Sequence, residues 1–259
     1  MSGSTCVAVL GTGSIGATHL RSLSAIDLAV PIAVTGRAER RTQLNQEGYQ
    51  TAVDLDDAVR LGAQLCIVAT DTARHGIDGT AALKRGLDVL VEKPMAVDAP
   101  TANQLNHLAV DLGRQLFVGC VLRFSASLNW FKEMRDQVGQ VHSVKIESRS
   151  YLPDWRPARP YLDSYSARPD GGGVLRDLIH EIDYACWIFG WPASIQATVK
   201  NFGRLSIGSE EVASLTWQTS AGCMVSIDLD YLSRPPRRRM TAFGELGTLE
   251  WDGIAGTVT

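Results

Sequence analysis

The sequence lacks an excess of charge of either sign: 25 Lys and Arg residues stand against 28 Asp and Glu residues, a net charge of −3 over 259 residues. Such a balance gives no general attraction to nucleic acid or anionic membranes. No apolar run approaches the roughly 20 residues of a membrane span. Residues 1–5 contain no basic region or cleavage site, so no secretory leader is expected. We therefore expect a cytoplasmic protein that binds neither nucleic acid nor membrane.

Paired cysteines are also lacking. The chain has 5 cysteines, widely spaced and without a Cys-x-x-Cys pair. An odd number at such spacing is typical of buried thiols in a reducing compartment and makes a zinc site or a disulfide framework unexpected. We predict no metal.

A glycine-rich turn follows the first apolar strand, Cys6 to Leu10, and precedes a helical stretch. A G-x-G-x-x-G motif in that context is typical of dinucleotide binding, because the helix start presents free N–H groups to the phosphates. His19, on the first turns of the helix, is interpreted as a packing or capping residue. The predicted cofactor contacts in this turn are Gly11, Gly13, Ser14, Ile15 and Gly16.

The second strand, Val30 to Thr35, ends without the acidic residue that usually accepts from the ribose 2′-OH of NAD. Arginines gather there instead, and the planar fork of an Arg side chain suits a phosphate. NADP is therefore favoured over NAD, with Gly36, Arg37 and Arg41 as contacts. The alternative is that these arginines only solvate the start of a helix.

Strands and helices alternate from the glycine turn to about residue 124, which predicts a doubly wound parallel sheet for residues 1–124. Val89 to Val91 is one of its strands, and Glu92-Lys93-Pro94 follows directly. Open α/β sheets bind ligands at the carboxyl edge, where Lys93 lies. The alternative is a surface Lys in a loop. Candidates for cofactor contacts on this edge are Thr70, His75, Glu92 and Lys93.

Residues 125–259 have a different composition, and an α+β domain with a largely antiparallel, open-faced sheet is predicted for them. Strand-like runs cover 140–150, 195–201, 211–218, 223–231, 240–243 and 248–251. A polar, aromatic connection occupies 151–170, and unstructured segments of that length are usually functional or mobile. An uncovered sheet face predicts a homodimer or homotetramer formed through this sheet.

A second motif begins with three glycines at 171–173 and continues into a predicted helix from Gly173 to Phe189. On one continuous helix, Asp177, His180 and Tyr184 would share a face. This favours acid–base catalysis, with His180 transferring a proton and Asp177 orienting it. A surface pair or a satisfied buried His remains the alternative.

The glycine turn, Glu92-Lys93-Pro94 and the Gly-Gly-Gly…Asp…His helix occur in the order seen in the Gfo/Idh/MocA family, which the whole chain resembles. The resemblance implies a Rossmann domain, an open-faced sheet domain and a nicotinamide cofactor. It also implies that Lys93 and His180 are catalytic, with Asp177 in support, and that the Lys93–Pro94 peptide is cis. His180 follows Asp177 by three residues, whereas many members have Asp-x-Gly-x-His.

That variant looks like a branch associated with bacterial surface-polysaccharide and sialic-acid-like sugars. Members of the family usually continue for several tens of residues more, so either the last sheet is trimmed or a terminal segment is missing.

Three functions remain open from the sequence. The leading one is an NAD(P)-dependent oxidoreductase that acts on a sugar, cyclitol or sugar derivative. The others are a non-catalytic dinucleotide-binding regulator and a reductase of a non-sugar substrate, such as a dihydrodiol or a tetrapyrrole. The candidate substrate contacts are Arg123, Tyr151, Trp155, Arg156, Arg168, Asp177 and His180, and an Arg-rich set suits a carboxylated or phosphorylated sugar.

Overall fold

A computed structural model describes residues 3–157 and 159–259. The described residues exclude residues 1 and 2, which belong to the segment where no leader was expected, and residue 158 of the 151–170 connection. The chain divides into two compact units, Met1–Gly119 and Cys120–Thr259. The division after residue 124 into a dinucleotide-binding and a substrate-binding domain is a functional assignment, and it stays a prediction.

The first unit contains a parallel sheet of 6 strands in the order β3-β2-β1-β4-β5-β6. Its strands are β1 (Thr5–Leu10), β2 (Ala29–Val34), β3 (Gln50–Ala52), β4 (Ala63–Val68), β5 (Asp88–Val91) and β6 (Leu116–Val118). Its helices are α1 (Ser14–Ser24), α2 (Ala38–Gln46), α3 (Leu55–Arg60), α4 (His75–Leu83) and α5 (Ala99–Asp111). The predicted Rossmann-like sheet is confirmed.

Alternation along β1 explains why this sheet is covered on both faces. Val7 and Val9 join one apolar cluster and Ala8 joins another, on the opposite face. Two helices begin where the sequence supplies a cap: the carboxylates of Asp54 and Asp98 accept backbone N–H groups three residues on. The strand predicted for 115–121 is shorter, because β6 covers only Leu116–Val118.

The second unit contains a mixed sheet of 7 strands in the order β13-β12-β11-β7-β10-β9-β8. All pairs are antiparallel except β7 with β10. The strands are β7 (Val141–Tyr151), β8 (Pro192–Lys200), β9 (Val212–Thr219), β10 (Met224–Asp230), β11 (Leu232–Gly244), β12 (Gly247–Asp252) and β13 (Thr257–Val258). The helices are α6 (Ala126–Met134), α7 (Val174–Asp177) and α8 (Ile179–Phe189). A largely antiparallel sheet is confirmed.

Three predicted elements of this unit were wrong in detail. The single helix over 173–189 is broken at Leu178, whose φ of −100° and ψ of 30° separate α7 from α8. The strand at 240–243 is the end of a longer strand, β11. The 151–170 connection is not structureless, since it contains short 3-10 turns at Leu152–Asp154, Tyr161–Asp163 and Tyr165–Ala167.

The two faces of this sheet differ in chemistry. Val225, Ile227 and Leu229 of β10 are buried in an apolar core under the helices. Between them on the strand, Ser226 and Asp228 point to the other face, where the carboxylate of Asp228 lies 3.5 Å from the Arg149 guanidinium. Along β10, the face opposite the helices is thus lined by polar and charged residues.

Candidate active site

The glycine turn of the first unit is shaped by two crowded positions and one open position. Gly11 has φ +97°, and a Cβ added there would lie 2.5 Å from the Ala69 carbonyl oxygen. A Cβ on Gly16 would lie 1.9 Å from the Gly11 carbonyl oxygen. At Gly13, which precedes α1, an added Cβ would meet no atom within 4 Å. Gly11 and Gly16 are therefore required by packing, whereas Gly13 leaves room for a ligand.

The turn fits the phosphates of a dinucleotide. The N–H groups of Ser14 and Ile15 belong to the first turn of α1, where helix N–H groups have no partner within the helix. That turn contains no acidic residue. The helix dipole and these N–H groups favour an anion, and the open side of Gly13 lets it approach the backbone.

The arginines near the end of β2 differ in their hydrogen-bond partners. The guanidinium Nη1 of Arg41 donates to the Thr35 carbonyl oxygen at 2.7 Å. Arg40 Nη1 donates to Gln43 Oε1 at 2.7 Å. Arg37 is exposed, and only its backbone N–H is directed at Thr35, whose Oγ1 lies 3.4 Å away. Arg37 is therefore the arginine of this group whose guanidinium is open to a ligand.

Side chains of α4 form hydrogen bonds with Thr70, in the loop that follows β4. His75 is 1% exposed; its Nδ1 lies 2.7 Å from the Pro94 carbonyl oxygen and its Nε2 lies 3.0 Å from the Thr70 carbonyl oxygen. Asp78, one helical turn further, accepts from Thr70 Oγ1 at 2.8 Å and from the Arg74 guanidinium. His75 was predicted as a cofactor contact; its ring instead lies inside the unit, against two carbonyl groups.

Glu92-Lys93-Pro94 lies directly beyond β5, as predicted, and the Lys93–Pro94 peptide is cis. Glu92 Oε1 is 2.7 Å from His19 Nε2, and Glu92 Oε2 accepts from the Lys93 backbone N–H at 3.2 Å. Burial alone raises the pKa of Glu92, but the hydrogen bond and charge of His19, with the amide and charge of Lys93, outweigh it. The net pKa lies below the usual range, so Glu92 is a carboxylate at neutral pH.

In the second unit, Asp177 is held by tyrosines distant in sequence. Asp177 is 5% exposed, and the Tyr231 hydroxyl donates to its Oδ2 at 2.5 Å. Burial, then the charge of Asp177, raises the pKa of Tyr231 far above its ordinary value. The same two causes raise the pKa of Tyr165. The hydroxyls of both tyrosines therefore keep their protons and serve as donors.

His180 lies in the first turn of the longer helix, α8, and not on the helix of Asp177. It is 9% exposed and lies two residues beyond the break at Leu178. The prediction that Asp177, His180 and Tyr184 share one face of one helix was therefore wrong. Tyr184 lies in the core, edge-on to the Trp251 ring at 5.5 Å between centroids.

Glu181, next to His180, is buried at 0% exposure. Its Oε1 accepts from Arg238 Nε at 2.7 Å. Burial raises the pKa of Glu181, and the charge and hydrogen bond of Arg238 offset only part of that effect.

The predicted substrate contacts divide into two sets. Arg123 is committed to Asp183 through two hydrogen bonds of 2.9 and 2.7 Å. The Tyr151 ring is covered by Arg234, whose Cζ lies 3.4 Å from its centroid. Arg156 and Arg168 are exposed. Trp155 and Arg156 line a small cleft of the 151–170 connection, together with Leu152, Arg159, Pro160, Tyr161, Ser164 and Ser166.

Sequence reasoning missed Tyr231, Tyr165 and Arg234. No local pattern marks them: Tyr231 ends a predicted strand 54 residues after Asp177. Only the folded sheet brings that strand end to the break between α7 and α8. His19 was placed on the correct helix, but its partner Glu92 is 73 residues away.

Within the described ranges, 3–157 and 159–259, no group of three His, Cys, Asp or Glu side chains could hold a metal ion. No helix in the same part of the chain is long and apolar enough to cross a membrane.

Two family models match the chain. Residues 5–120 match the model described as "Oxidoreductase family, NAD-binding Rossmann fold", and residues 132–250 match the "GFO/IDH/MocA C-terminal domain". The two matched ranges cover most of both structural units.

Among curated relatives, a myo-inositol dehydrogenase, Hyg17, of Streptomyces leeuwenhoekii is 28% identical over 234 residues, 87% of this chain and 67% of that protein. The inositol 2-dehydrogenase of Streptomyces avermitilis is 28% identical over 235 residues, 86% of this chain and 65% of that protein. The chain thus spans about two thirds of the length of these two relatives.

Among solved structures, the WlbA dehydrogenase of Bordetella pertussis, in complex with NADH and UDP-GlcNAcA, has a TM-score of 0.88 at 22% identity. It covers 99% of this chain, and the chain covers 76% of it. GenD2 from gentamicin A biosynthesis, in complex with NAD, has a TM-score of 0.85 at 24% identity, with 96% and 72% coverage. At these identities the likeness establishes the shared fold.

Proposed function

The chain belongs to the Gfo/Idh/MocA oxidoreductase family, and from that membership we propose that it is a dehydrogenase or reductase. Its reaction transfers hydride between a nicotinamide dinucleotide and a hydroxyl or keto carbon of a sugar, cyclitol or sugar derivative. The observation that carries the proposal is a glycine turn open to an anion at Gly13, on the same sheet edge as a half-buried Lys93. Edges of this kind are where open α/β sheets bind dinucleotides.

Two side chains act on the reacting oxygen, one by stabilising its charge and the other by transferring a proton. The Lys93 ammonium stabilises negative charge that develops on that oxygen as the carbon is oxidised or reduced. His180 accepts the hydroxyl proton in oxidation and returns it in reduction. A bound nicotinamide supplies the hydride acceptor or donor.

Asp177 supports this chemistry from inside its unit. Its carboxylate accepts from the buried Tyr231 hydroxyl. A hydrogen-bonded carboxylate has a fixed orientation, so Asp177 provides a fixed negative charge near the start of the helix that carries His180.

The central test is a pair of substitutions, Lys93→Ala and His180→Ala, in the whole chain. Each is expected to lower kcat by about 100-fold or more while cofactor binding, read by NADH or NADPH fluorescence, is retained. Lys84→Ala, on a Lys of the same unit that lies away from the glycine turn, is the matched control and should turn over normally.

Full turnover in both Lys93→Ala and His180→Ala would contradict the proposed chemistry. Tight dinucleotide binding without oxidation or reduction of any polyol or keto-sugar would favour a regulatory dinucleotide-binding protein instead. Turnover restricted to a dihydrodiol or a tetrapyrrole would replace the substrate class and keep the reaction type.

For the cofactor we propose NADP rather than NAD, with Arg37 at the 2′-phosphate. Arg37 is exposed and stands at the end of β2, where the sequence has no acidic residue for a ribose hydroxyl. Arg37→Ala should raise the Kd for NADPH by about 10- to 100-fold and leave that for NADH within about 3-fold, as expected for one charged hydrogen bond. Arg40→Ala is the control, because that guanidinium is bound to Gln43. Tighter binding of NADH than of NADPH by the unaltered protein would assign NAD, and equal affinities would overturn the preference for NADP.

For the substrate, we propose that the 151–170 connection and the polar residues beside it contact a sugar that carries a carboxylate or phosphate. Trp155 offers an apolar ring, 36% exposed, and Arg156 and Arg168 offer exposed guanidinium groups. Planar guanidinium groups bind carboxylates and phosphates through paired hydrogen bonds. Arg123 is less suited to bind the substrate, because its guanidinium is already hydrogen-bonded to Asp183.

We also propose a cytoplasmic homodimer or homotetramer. All 5 cysteines are free thiols, and free thiols are typical of proteins in a reducing compartment. The polar face of the mixed sheet would form the subunit contact through ion pairs and hydrogen bonds rather than through apolar burial. Light scattering at low salt and at about 1 M salt tests this, since screening weakens such a contact.

A further inference from the structure

The two neighbours of Lys93 in the chain are each held by a histidine from a different helix. Glu92 is held by His19 of α1, at 2.7 Å from Nε2 to Oε1. The Pro94 carbonyl is held by His75, the first residue of α4, at 2.7 Å from Nδ1. Lys93 therefore lies between two fixed points of one short turn.

The His19 contact is confined on several sides. The side chain of His19 is 22% exposed and that of Glu92 is 13% exposed. The second oxygen of Glu92 accepts from the Lys93 backbone N–H, and a Cβ on Gly119 would lie 3.1 Å from the Glu92 carboxyl carbon. A carboxylate so enclosed has one orientation, and it transmits the position of α1 to the Lys93 backbone.

The His75 contact is deeper. Its ring bridges the carbonyls of Thr70 and Pro94, which follow the neighbouring strands β4 and β5. A carbonyl oxygen only accepts, so in every protonation state at least one ring nitrogen can donate to one of them. Asp78 fixes the Thr70 hydroxyl from the same helix. The ring thus ties together the two loops that follow these strands.

We propose that His19 and His75 are positioning residues that together fix the Lys93 ammonium for the reaction. They act through Glu92 and Pro94 rather than by touching the substrate. His19 belongs to the helix that begins at the glycine turn, so it links the placement of Lys93 to the dinucleotide site. This inference rests on the catalytic role proposed for Lys93.

Histidine-to-glutamine substitutions test the proposal. Gln is polar like His, but its flexible side chain lacks the rigid ring that holds the two ring nitrogens of His in place. His19→Gln and His75→Gln should each lower kcat by about 10- to 100-fold, the effect of a displacement near 1 Å, with KM and cofactor Kd within about 3-fold. His107→Gln, on the exposed face of α5, is the matched control.

A second readout follows Lys93 itself. Reductive methylation with labelled formaldehyde gives each lysine a methyl resonance, and the resonance absent from Lys93→Ala identifies Lys93. In the unaltered protein this resonance should be separated from those of exposed lysines. In His19→Gln and His75→Gln it should shift towards them, whereas a merely structural role would lower the melting temperature and leave the resonance of the folded protein in place.

The outcomes are distinguishable. If Lys93→Ala is inactive but both histidine variants turn over within about 2-fold of the unaltered enzyme with an unshifted resonance, the positioning role is wrong and the proposed function stands. If Lys93→Ala is fully active, the catalytic role proposed for Lys93 is wrong and this inference fails with it, whereas the proposed function is overturned only if His180→Ala is fully active as well. Should His75→Gln not fold, His19→Gln, on a partly exposed side chain, decides the matter alone.

Discussion

In each unit a glutamate lies next to a candidate catalytic residue, and the two pKa values are shifted in opposite directions. Glu92, beside Lys93, has His19 and a backbone N–H as partners, and its pKa is lowered despite burial. Glu181, beside His180, is fully buried, and Arg238 offsets only part of the burial, so its pKa is raised. The surroundings of Glu92 thus favour its ionised form, whereas those of Glu181 disfavour its ionised form.

The difference follows from where each residue sits. The parallel sheet ends in an edge at which N–H groups and helix starts converge, so an anion is solvated by the protein there. The helix α8 lies on an apolar core, where few polar groups are available. The neighbours of a carboxylate therefore matter more than the depth at which it is buried.

The largest expected effect concerns the glycine turn of the first unit. Gly16→Ala would place a Cβ 1.9 Å from the Gly11 carbonyl oxygen, which is backbone and cannot rotate away. We expect it to lower the free energy of unfolding by about 3 kcal/mol, at the upper range for overpacking, and to abolish dinucleotide binding.

Gly13→Ala is its control, because an added Cβ there meets no atom within 4 Å. It should keep the unfolding free energy within about 0.5 kcal/mol and weaken only cofactor binding, as urea unfolding and fluorescence titration would show. Equal destabilisation by both substitutions would mean that the turn is not divided into packing and ligand positions.

The next effect concerns two tyrosines of the second unit, both 0% exposed. Tyr231→Phe removes the donor to Asp177 and should cost about 1–3 kcal/mol of unfolding free energy, because a buried carboxylate loses a hydrogen bond. It should also lower kcat.

Tyr184→Phe is matched in size and burial, but the Tyr184 hydroxyl has no hydrogen-bond partner among the described residues. Its removal should be neutral or stabilising, because no bond is lost and a buried polar group is deleted. If Tyr231→Phe proved as harmless in both stability and turnover, Asp177 would not depend on Tyr231.

The smallest effect is the pH dependence of the two glutamates. A raised pKa means that the folded state prefers protonated Glu181, so its contribution to stability is present below the ordinary value of 4.5 and is lost as pH rises through the raised value. The stability of Glu181→Gln should therefore rise relative to that of the unaltered protein as pH rises above 4.5. The difference in unfolding free energy should grow by about 1.4 kcal/mol per pH unit until the raised pKa is reached, as urea unfolding at several pH values would show.

Glu92→Gln should show the opposite sign. A lowered pKa stabilises the fold above 4.5, and the stability is lost as pH falls through the lowered value. The Gln variant should thus be less stable than the unaltered protein at neutral pH and approach it in acid. Glu245→Gln, which replaces an exposed carboxylate, is the control. If the unfolding free energy of all three variants changed with pH in the same way, the predicted contrast between Glu92 and Glu181 would be wrong.

The first unit could be predicted from the sequence almost entirely. Its strands are short apolar runs, and its turns are marked by Gly11 or by the helix caps Asp54 and Asp98. Because the strands are parallel, their carboxyl ends lie at one edge of the sheet. Each signal is local, so Lys93 was located without tertiary information. What escaped was the task of His75, because its partners lie on loops beyond two strands that only the sheet brings together.

In the second unit the sequence by itself determined the presence of an open-faced sheet and the identity of His180 and Asp177 as candidates. Tertiary structure decided their arrangement. The run 173–189 has no Pro or internal Gly to announce the break at Leu178, and the Tyr231 hydroxyl that holds Asp177 comes from a strand end far along the chain. A helical pattern records only neighbours within one or two turns, whereas the partner of a buried carboxylate is selected by packing across the sheet.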